Sequence, residues 1–498
     1  MSGLRLPEPD QTTLANRDRI IADLTAIVSE GSMITHETAM RPYESDGVTA
    51  YKQMPLMVVL PQTTEQVARI LKYCHDHAVR VVPRGAGTSL SGGALPLGDA
   101  VLLAMGKFNR ILDIDLPNRC AVVQPGVTNL GITRAVEQEG FYYAPDPSSQ
   151  IACTIGGNVA ENSGGVHCLK YGLTTNNVLG VELVLMTGEI VRLGGKHLDA
   201  GGLDLLSVVI GSEGLLGVVT EVTVRLLKKP DVARAVLVGF PTSEDAGACV
   251  ARIIAAGIIP AGIEMMDKDA IAAAEAFVKV GYPLDVEALL IIELDGPEAE
   301  CAHLLQEVAD IASACGASTL RVSASEEERL GFWAGRKAAF PAVGRISPDY
   351  LCMDGTIPRK ALSHVLSRMR EMSAHHGLRV ANVFHAGDGN LHPLILYDAN
   401  APGEMDAAEA FGADILRLCV EVGGVLTGEH GVGVEKRDLM PVMFNEVDLA
   451  QQLRLKCAFD DQNLLNPGKV FPTLHRCAEM GRMHVSAGQL PFPDLPRF

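Results

Sequence analysis

The sequence predicts an α+β protein of more than one domain, and three features carry that prediction. Residues 55–93 read strand, helix, strand and then a glycine-rich loop, with further short strands to about residue 227. Residues 232–316 hold two strand–helix units, and a hairpin follows at 384–396. That combination implies an antiparallel sheet with helices on one side. Beyond Gly423 the pattern becomes helical again. At 498 residues the chain is long enough for two or three domains, each with its own core.

Each element has a local reason. Residues 17–30, "RDRIIADLTAIVSE", place apolar side chains at helical spacing. Thr64-Glu65 opens an apolar-periodic stretch that predicts a helix to about His77. Short strands are expected at 100–105, 119–126, 178–188 and 216–227, and Lys228-Lys229-Pro230 ends this block. The stretch "RAVLVGFPTSEDAGACVARIIAAG" reads strand then helix, as does 288–316. A helix is expected at 449–460 before a proline-rich tail. The expected division is an N-terminal helical segment over 1–52, a first domain over 53–230, a second over 231–430, and a C-terminal segment over 431–498. Residues 431–477 are expected to pack back on the first domain.

Composition narrows the function. A formal charge of −18 argues against nucleic acid or an anionic membrane surface as partner. No apolar secretory core or membrane-length apolar run is visible, so a cytoplasmic protein is expected. Eleven scattered cysteines with no Cys-x-x-Cys fit reduced thiols, and exclude a ferredoxin-like cluster held by this chain alone.

Three glycine-rich stretches carry the first chemical signal. "PRGAGTSLSGG" at 83–93 follows a strand and combines Arg84 with Gly85, Gly87, Thr88, Ser89, Ser91 and Gly92. Glycine lets backbone N–H groups approach an anion, and the hydroxyls add donors. Neither the dinucleotide-binding Gly-x-Gly-x-x-Gly pattern nor the P-loop fits the spacing. The second stretch, 145–165, and the third, 211–222, have the same character. Three such loops in one block imply backbone wrapped around a long, phosphate-bearing ligand.

The block at 53–230 resembles the FAD-binding domain of the vanillyl-alcohol-oxidase type flavoproteins. That resemblance implies pyrophosphate contacts at Arg84, Gly85, Gly87, Thr88, Ser89, Ser91 and Gly92. It implies flavin or ribityl neighbours at Pro145, Asp146, Gly156, Gly157, Asn162, Gly164 and Gly165, with Gly214 in the third stretch. Some members hold FAD covalently through a histidine in the first loop, where this chain has Ala86. Dissociable, non-covalent FAD is therefore expected.

"FHAGDGNLHPLIL" at 384–396 places two histidines around Asp388-Gly389, a strong two-residue hairpin signal. A turn there would oppose His385 and His392, with Cβ atoms about 4.5–5.5 Å apart on one face. They are either an ordinary polar pair or two ligands of one metal. "TGEHGVGVEK" at 427–436 offers Glu429 as a third ligand and His430 as a base, or else a simple cap for the next segment. Two histidines and a carboxylate make a common catalytic divalent-metal set.

The pairing of these two motifs resembles the FAD-linked 2-hydroxy acid dehydrogenases, and "WAGRKAAFPAVGRISPDYLCMDGTIPR" at 333–359 and "FPTLHRCAEMGRMH" at 471–484 extend the likeness across the chain. It implies a substrate domain over 231–430, with a divalent ion, usually zinc, on His385, His392 and Glu429. It also implies His430 as base and Arg336 as the holder of the substrate carboxylate. Relatives acting on D-2-hydroxyglutarate carry a polar residue and an Asn where this chain has Phe340 and Leu394. A small monocarboxylate is therefore expected, glycolate first and D-lactate second. The resemblance further implies partner subunits, a second flavin-domain-like chain and an iron–sulfur protein, through which alone the chain would meet the membrane. His75, His77, His167 and His303 are expected to be surface or structural, and Trp333 a core residue. Acid precipitation of the holoprotein should release all its yellow colour, and colour left on the polypeptide would contradict a dissociable flavin.

Overall fold

The computed structural model describes residues 5–197 and 201–472. Most of the "FPTLHRCAEMGRMH" tail lies outside the described residues. Within them, the first glycine-rich block forms two sheets. Strands Met57–Val59 and Arg80–Arg84 flank Ala100–Ala104 and run parallel to it, with Met33–Ile34 antiparallel at one edge. The crossover helix Thr64–Asp76 begins where the Thr63 hydroxyl accepts the Gln66 N–H. It buries Val67, Ile70, Leu71 and Cys74 on the sheet, the spacing of one helical face. The second sheet is five-stranded and antiparallel, in the order Ile111–Asp115, Cys120–Val123, Val218–Arg225, Val178–Val184, Ile190–Gly194.

A seven-stranded antiparallel sheet forms the second half of the molecule. Its order is Thr319–Val322, Val232–Phe240, Ala288–Gly296, Gly262–Asp267, Val380–Phe384, Pro393–Tyr397, Asp349–Cys352. Helices cover both faces, not one as the strand–helix pattern predicts. Val236, Val238, Phe240, Leu290 and Ile292 meet helices Ser243–Ala255, Leu362–His376 and Glu404–Glu421. Ala235, Leu237, Leu289 and Ile291 meet Lys268–Val278 and Glu326–Lys337 on the other side. The physical reason is in the strands: "ALLIIEL" is apolar at consecutive positions, which a half-exposed strand is not.

The described chain returns to the first sheet at residues 464–466. The Val81 N–H donates to Leu464 O at 2.8 Å, and the Asn466 N–H to Val81 O at 2.7 Å. Leu464 and Leu465 join the core beneath the helix Thr64–Asp76. Among the described residues nine cysteines are buried free thiols, whereas Cys457 is disulfide-bonded and departs from the expectation of reduced thiols throughout.

Leu465 is fully buried and Val447 is exposed, both in this returning segment. Leu465→Ala should cost about 2–5 kcal/mol and lower the melting temperature. Val447→Ala should change stability by no more than about 0.5 kcal/mol. Equal melting of the two variants would contradict the docked arrangement.

Candidate active site

The glycine-rich loops line one cavity. Arg84, Gly85, Gly87, Thr88 and Ser89 form one wall, with Gly156, Gly157 and Gly214 on others. Local geometry accounts for two of these glycines. Gly87 has φ +73°, and a Cβ there would fall 2.0 Å from the Arg84 guanidinium. A Cβ on Gly85 would fall 2.6 Å from Thr154 Oγ1. Arg84 is folded under its own loop and donates to Ser45 O at 2.8 Å.

The other residues assigned to the flavin by resemblance stand behind the wall. Ser91 Oγ bonds Ser89 Oγ at 3.2 Å, and Ser91 O accepts from the Val434 N–H. Gly92 (φ +76°) leaves room for Val434. Pro145 O accepts from the Asn129 amide, and Asn162 (φ +52°) ends the helix Ile155–Glu161 while accepting from the Thr175 N–H. Gly164 backs Glu429, and Gly165 lies against the Asp146 backbone. Asp146 holds His167 Nδ1 at 2.9 Å, and the His167 Nε2 reaches Glu293 at 3.2 Å, so this imidazole ties the first block to the large sheet. Burial opposes charge on His167, but the two carboxylates outweigh it and hold its pKa well above the ordinary value. Trp333 is buried with its indole N–H on Glu293.

The wall also contains residues the sequence reading missed. Thr154 Oγ1 and Glu161 Oε2 are buried there without a hydrogen-bond partner. Burial and the neighbouring Glu213 push the Glu161 carboxyl well above its usual pKa. Orphaned polar atoms among glycine backbone suit a long polar cofactor such as FAD.

The same cavity ends on His392, Glu429, His430 and Phe340. The hairpin that carries the histidines has a four-residue loop, 386–389, in place of the expected two-residue turn. His385 O accepts from the N–H groups of Asp388 and Gly389, and His385 pairs with Asn390 rather than His392. Gly389, at φ +88°, passes close to Ile357 O, where any Cβ would clash. The register is shifted by two residues, which preserves the face. His385 and His392 therefore stay on one side as diagonal neighbours, with ring centroids 5.0 Å apart.

Glu429 Oε1 lies 2.9 Å from His392 Nε2 and 3.3 Å from His385 Nε2. One ligand atom from each of the three residues falls within 4.8 Å of the others. Glu429 Oε2 is buried without a partner. Two imidazole nitrogens and an under-used carboxylate fit a divalent ion. Burial would raise the Glu429 carboxyl, but the histidines outweigh it and hold it well below its usual range. His385 is held well above its ordinary value: burial opposes its charge, and Glu264 and Glu429 favour it more strongly. His430 stacks on His392 at 4.8 Å, nearly parallel, with Nδ1 buried and unpartnered. Burial depresses it to about 4 despite Asp354, leaving a neutral imidazole.

Asp354 and Glu264 were not visible in the sequence reading. Asp354 accepts from the Thr427 hydroxyl and from the N–H groups of Gly428, Glu429 and His430, fixing the turn that carries the third ligand and the base. Glu264 contacts His385 on one side and Arg336 on the other. Arg336 is 1% exposed and stands behind the cavity wall, with Nε and Nη2 making no aligned hydrogen bond. Phe340 faces His392 edge-on at 6.3 Å, whereas Leu394 is buried in the sheet core.

Residues 229–470 match the family described as FAD linked oxidases, C-terminal domain, and residues 55–194 match the FAD binding domain. The chain is 56% identical over 496 residues to the glycolate oxidase subunit GlcD of Escherichia coli K12, covering 99% of this chain and 98% of that one. It is 34% identical to the D-lactate dehydrogenase of Archaeoglobus fulgidus over 427 residues, 83% of this chain and 91% of that one. The solved 4-ethylphenol oxidase of Gulosibacter chungangensis shares the fold with a TM-score of 0.78 at 18% identity, over 94% of this chain and 99% of that one. The chain thus belongs to the FAD-linked oxidases, a family of flavoenzymes.

Proposed function

We propose that this enzyme oxidises glycolate to glyoxylate, with D-lactate, one methyl larger, as the second reading. One observation carries the proposal: His392, Glu429 and His430 open on the same cavity as the glycine-rich walls. The names of the relatives support the substrate class.

FAD held in the glycine-rich cavity would supply the hydride acceptor, and a divalent ion held by His385, His392 and Glu429 would supply a Lewis acid for the C2 hydroxyl. His430 takes the hydroxyl proton at Nδ1, which is buried, neutral and otherwise unpaired. Arg336, whose Nε has no partner and whose Nη2 is ion-paired with Glu264, is the cation for the carboxylate. Phe340 presents an apolar wall that would leave a second carboxylate unpaired, at a cost of roughly several kcal/mol, and so favours a monocarboxylate. A scaffold that merely carried flavin would have no use for the orphaned Glu429 Oε2 and His430 Nδ1.

Electrons leave through partner subunits, a second flavin-domain-like chain and an iron–sulfur protein. The relative's name as a subunit supports this, as does the lack of any Cys-x-x-Cys here. Among the described residues no helix is long and apolar enough to cross a membrane, in keeping with a cytoplasmic chain that meets the membrane through those partners.

With an artificial dye as acceptor, the isolated chain should turn over glycolate and D-lactate but not L-lactate. His430→Gln should lower kcat by about 10²–10⁴-fold while retaining FAD. Turnover near the parent's would remove His430 from the chemistry. Phe340→Thr should raise kcat/KM for D-2-hydroxyglutarate relative to glycolate by roughly ten-fold, within the 1–3 kcal/mol a pocket contact commands. An unchanged ratio would mean that Phe340 does not set substrate size.

A further inference from the structure

Glu264 sits in the middle of the strand Gly262–Asp267, between Ile263 and Met265, which face the opposite core. It is 1% exposed, with apolar residues on either side of it in the strand. A lone carboxylate is costly there unless both oxygens have work. Oε1 accepts a hydrogen bond from His385 Nδ1 at 2.7 Å, and Oε2 is ion-paired with Arg336 Nη2 at 2.7 Å, without an aligned hydrogen bond. Strand register brings this about, because Met265 pairs with Phe384, one residue before His385. Helix Glu326–Lys337 lies over the same face of the sheet and delivers Arg336 from above.

We infer that Glu264 is a positioning residue that links the first metal-ligand histidine to the substrate-binding arginine. By accepting the hydrogen bond from His385 Nδ1–H it favours the tautomer that leaves Nε2 free for a metal beside Glu429. By pairing with Arg336 it holds that guanidinium beside the same cluster without consuming its Nε donor. His392 lacks such a carboxylate: its Nδ1 faces the Met353 carbonyl at 3.4 Å, with Asp354 at 3.9 Å. The His385 side of the site is therefore the one whose geometry rests on a dedicated anion. Glu264 touches neither the cavity nor the reacting atoms. This inference rests on the metal reading above.

The test measures zinc affinity by competition with a chromogenic chelator, and FAD affinity by fluorescence quenching, on the same preparations. Glu264→Gln keeps the shape but cannot accept from both neighbours. It should weaken zinc binding about 10–100-fold, the usual effect of losing such a partner, while FAD affinity stays at the parental value. Glu264→Asp, which keeps the charge but shortens its reach, should fall between parent and Gln. Its kcat/KM for glycolate should fall with the zinc affinity. Parental zinc affinity in Glu264→Gln would overturn the inference and leave the metal reading standing. Equal loss of zinc and FAD affinity in both variants would also overturn it, since that is general weakening of the fold. A parent chain that binds no zinc or other divalent ion would overturn both readings together.

Discussion

The turn that carries Glu429 and His430 hangs on one buried anion. Asp354 follows the strand Asp349–Cys352, is fully buried, and accepts from three successive backbone N–H groups and a hydroxyl of the 427–430 turn. Hydrogen bonds to a charged acceptor contribute about 1.5–3 kcal/mol each, and here they replace the solvation the carboxylate has lost. Burial and the like charge of Glu429 act against its ionisation, and His430, Lys436 and His392 outweigh them, holding its pKa below the ordinary value. Asp354 thereby fixes where Glu429 and His430 stand relative to the hairpin. The triad is consequently an assembly of two distant segments, the 385–392 hairpin and the 427–430 turn, the second held by Asp354 just beyond a strand of the same sheet.

That sheet explains how a metal-type cluster and a flavin-type cavity meet. Glu264, His385 and His392 emerge from neighbouring strands on one face, and helix Glu326–Lys337 covers that face with Arg336. The opposite face is filled by Phe240, Phe384 and Phe411, so the sheet is rigid beneath the site. The returning C-terminal segment joins the halves: Val434 and Glu435 bond Ser91 O at the end of the first glycine-rich loop, four residues after His430.

Much of this was legible in the sequence. The helix at 64–76, the main strands, the glycine-rich walls and the histidine hairpin follow from periodicity, glycine spacing and turn chemistry. The hairpin loop was read two residues too short because Asp388-Gly389 is a strong local signal. Tertiary contacts of Gly387 with Ile263 O and of Gly389 with Ile357 select the longer loop. Helices on both faces were missed although "ALLIIEL" lacks the alternation of a one-sided strand. Glu264 and Asp354 left a weaker trace, an acid flanked by apolar residues inside a strand or just beyond one. His385 lies 121 residues from Glu264, and the 427–430 turn 73–76 from Asp354, so only the folded chain identifies them.

The central claim is that the His385–His392–Glu429 cluster serves the flavin in its shared cavity. The direct measurement is anaerobic stopped-flow bleaching of the flavin by glycolate, before chelation, after it, and after zinc or another divalent ion is restored. The account predicts rapid bleaching, then loss of at least most of the rate with FAD still bound, then recovery. Bleaching that is indifferent to chelation would contradict it.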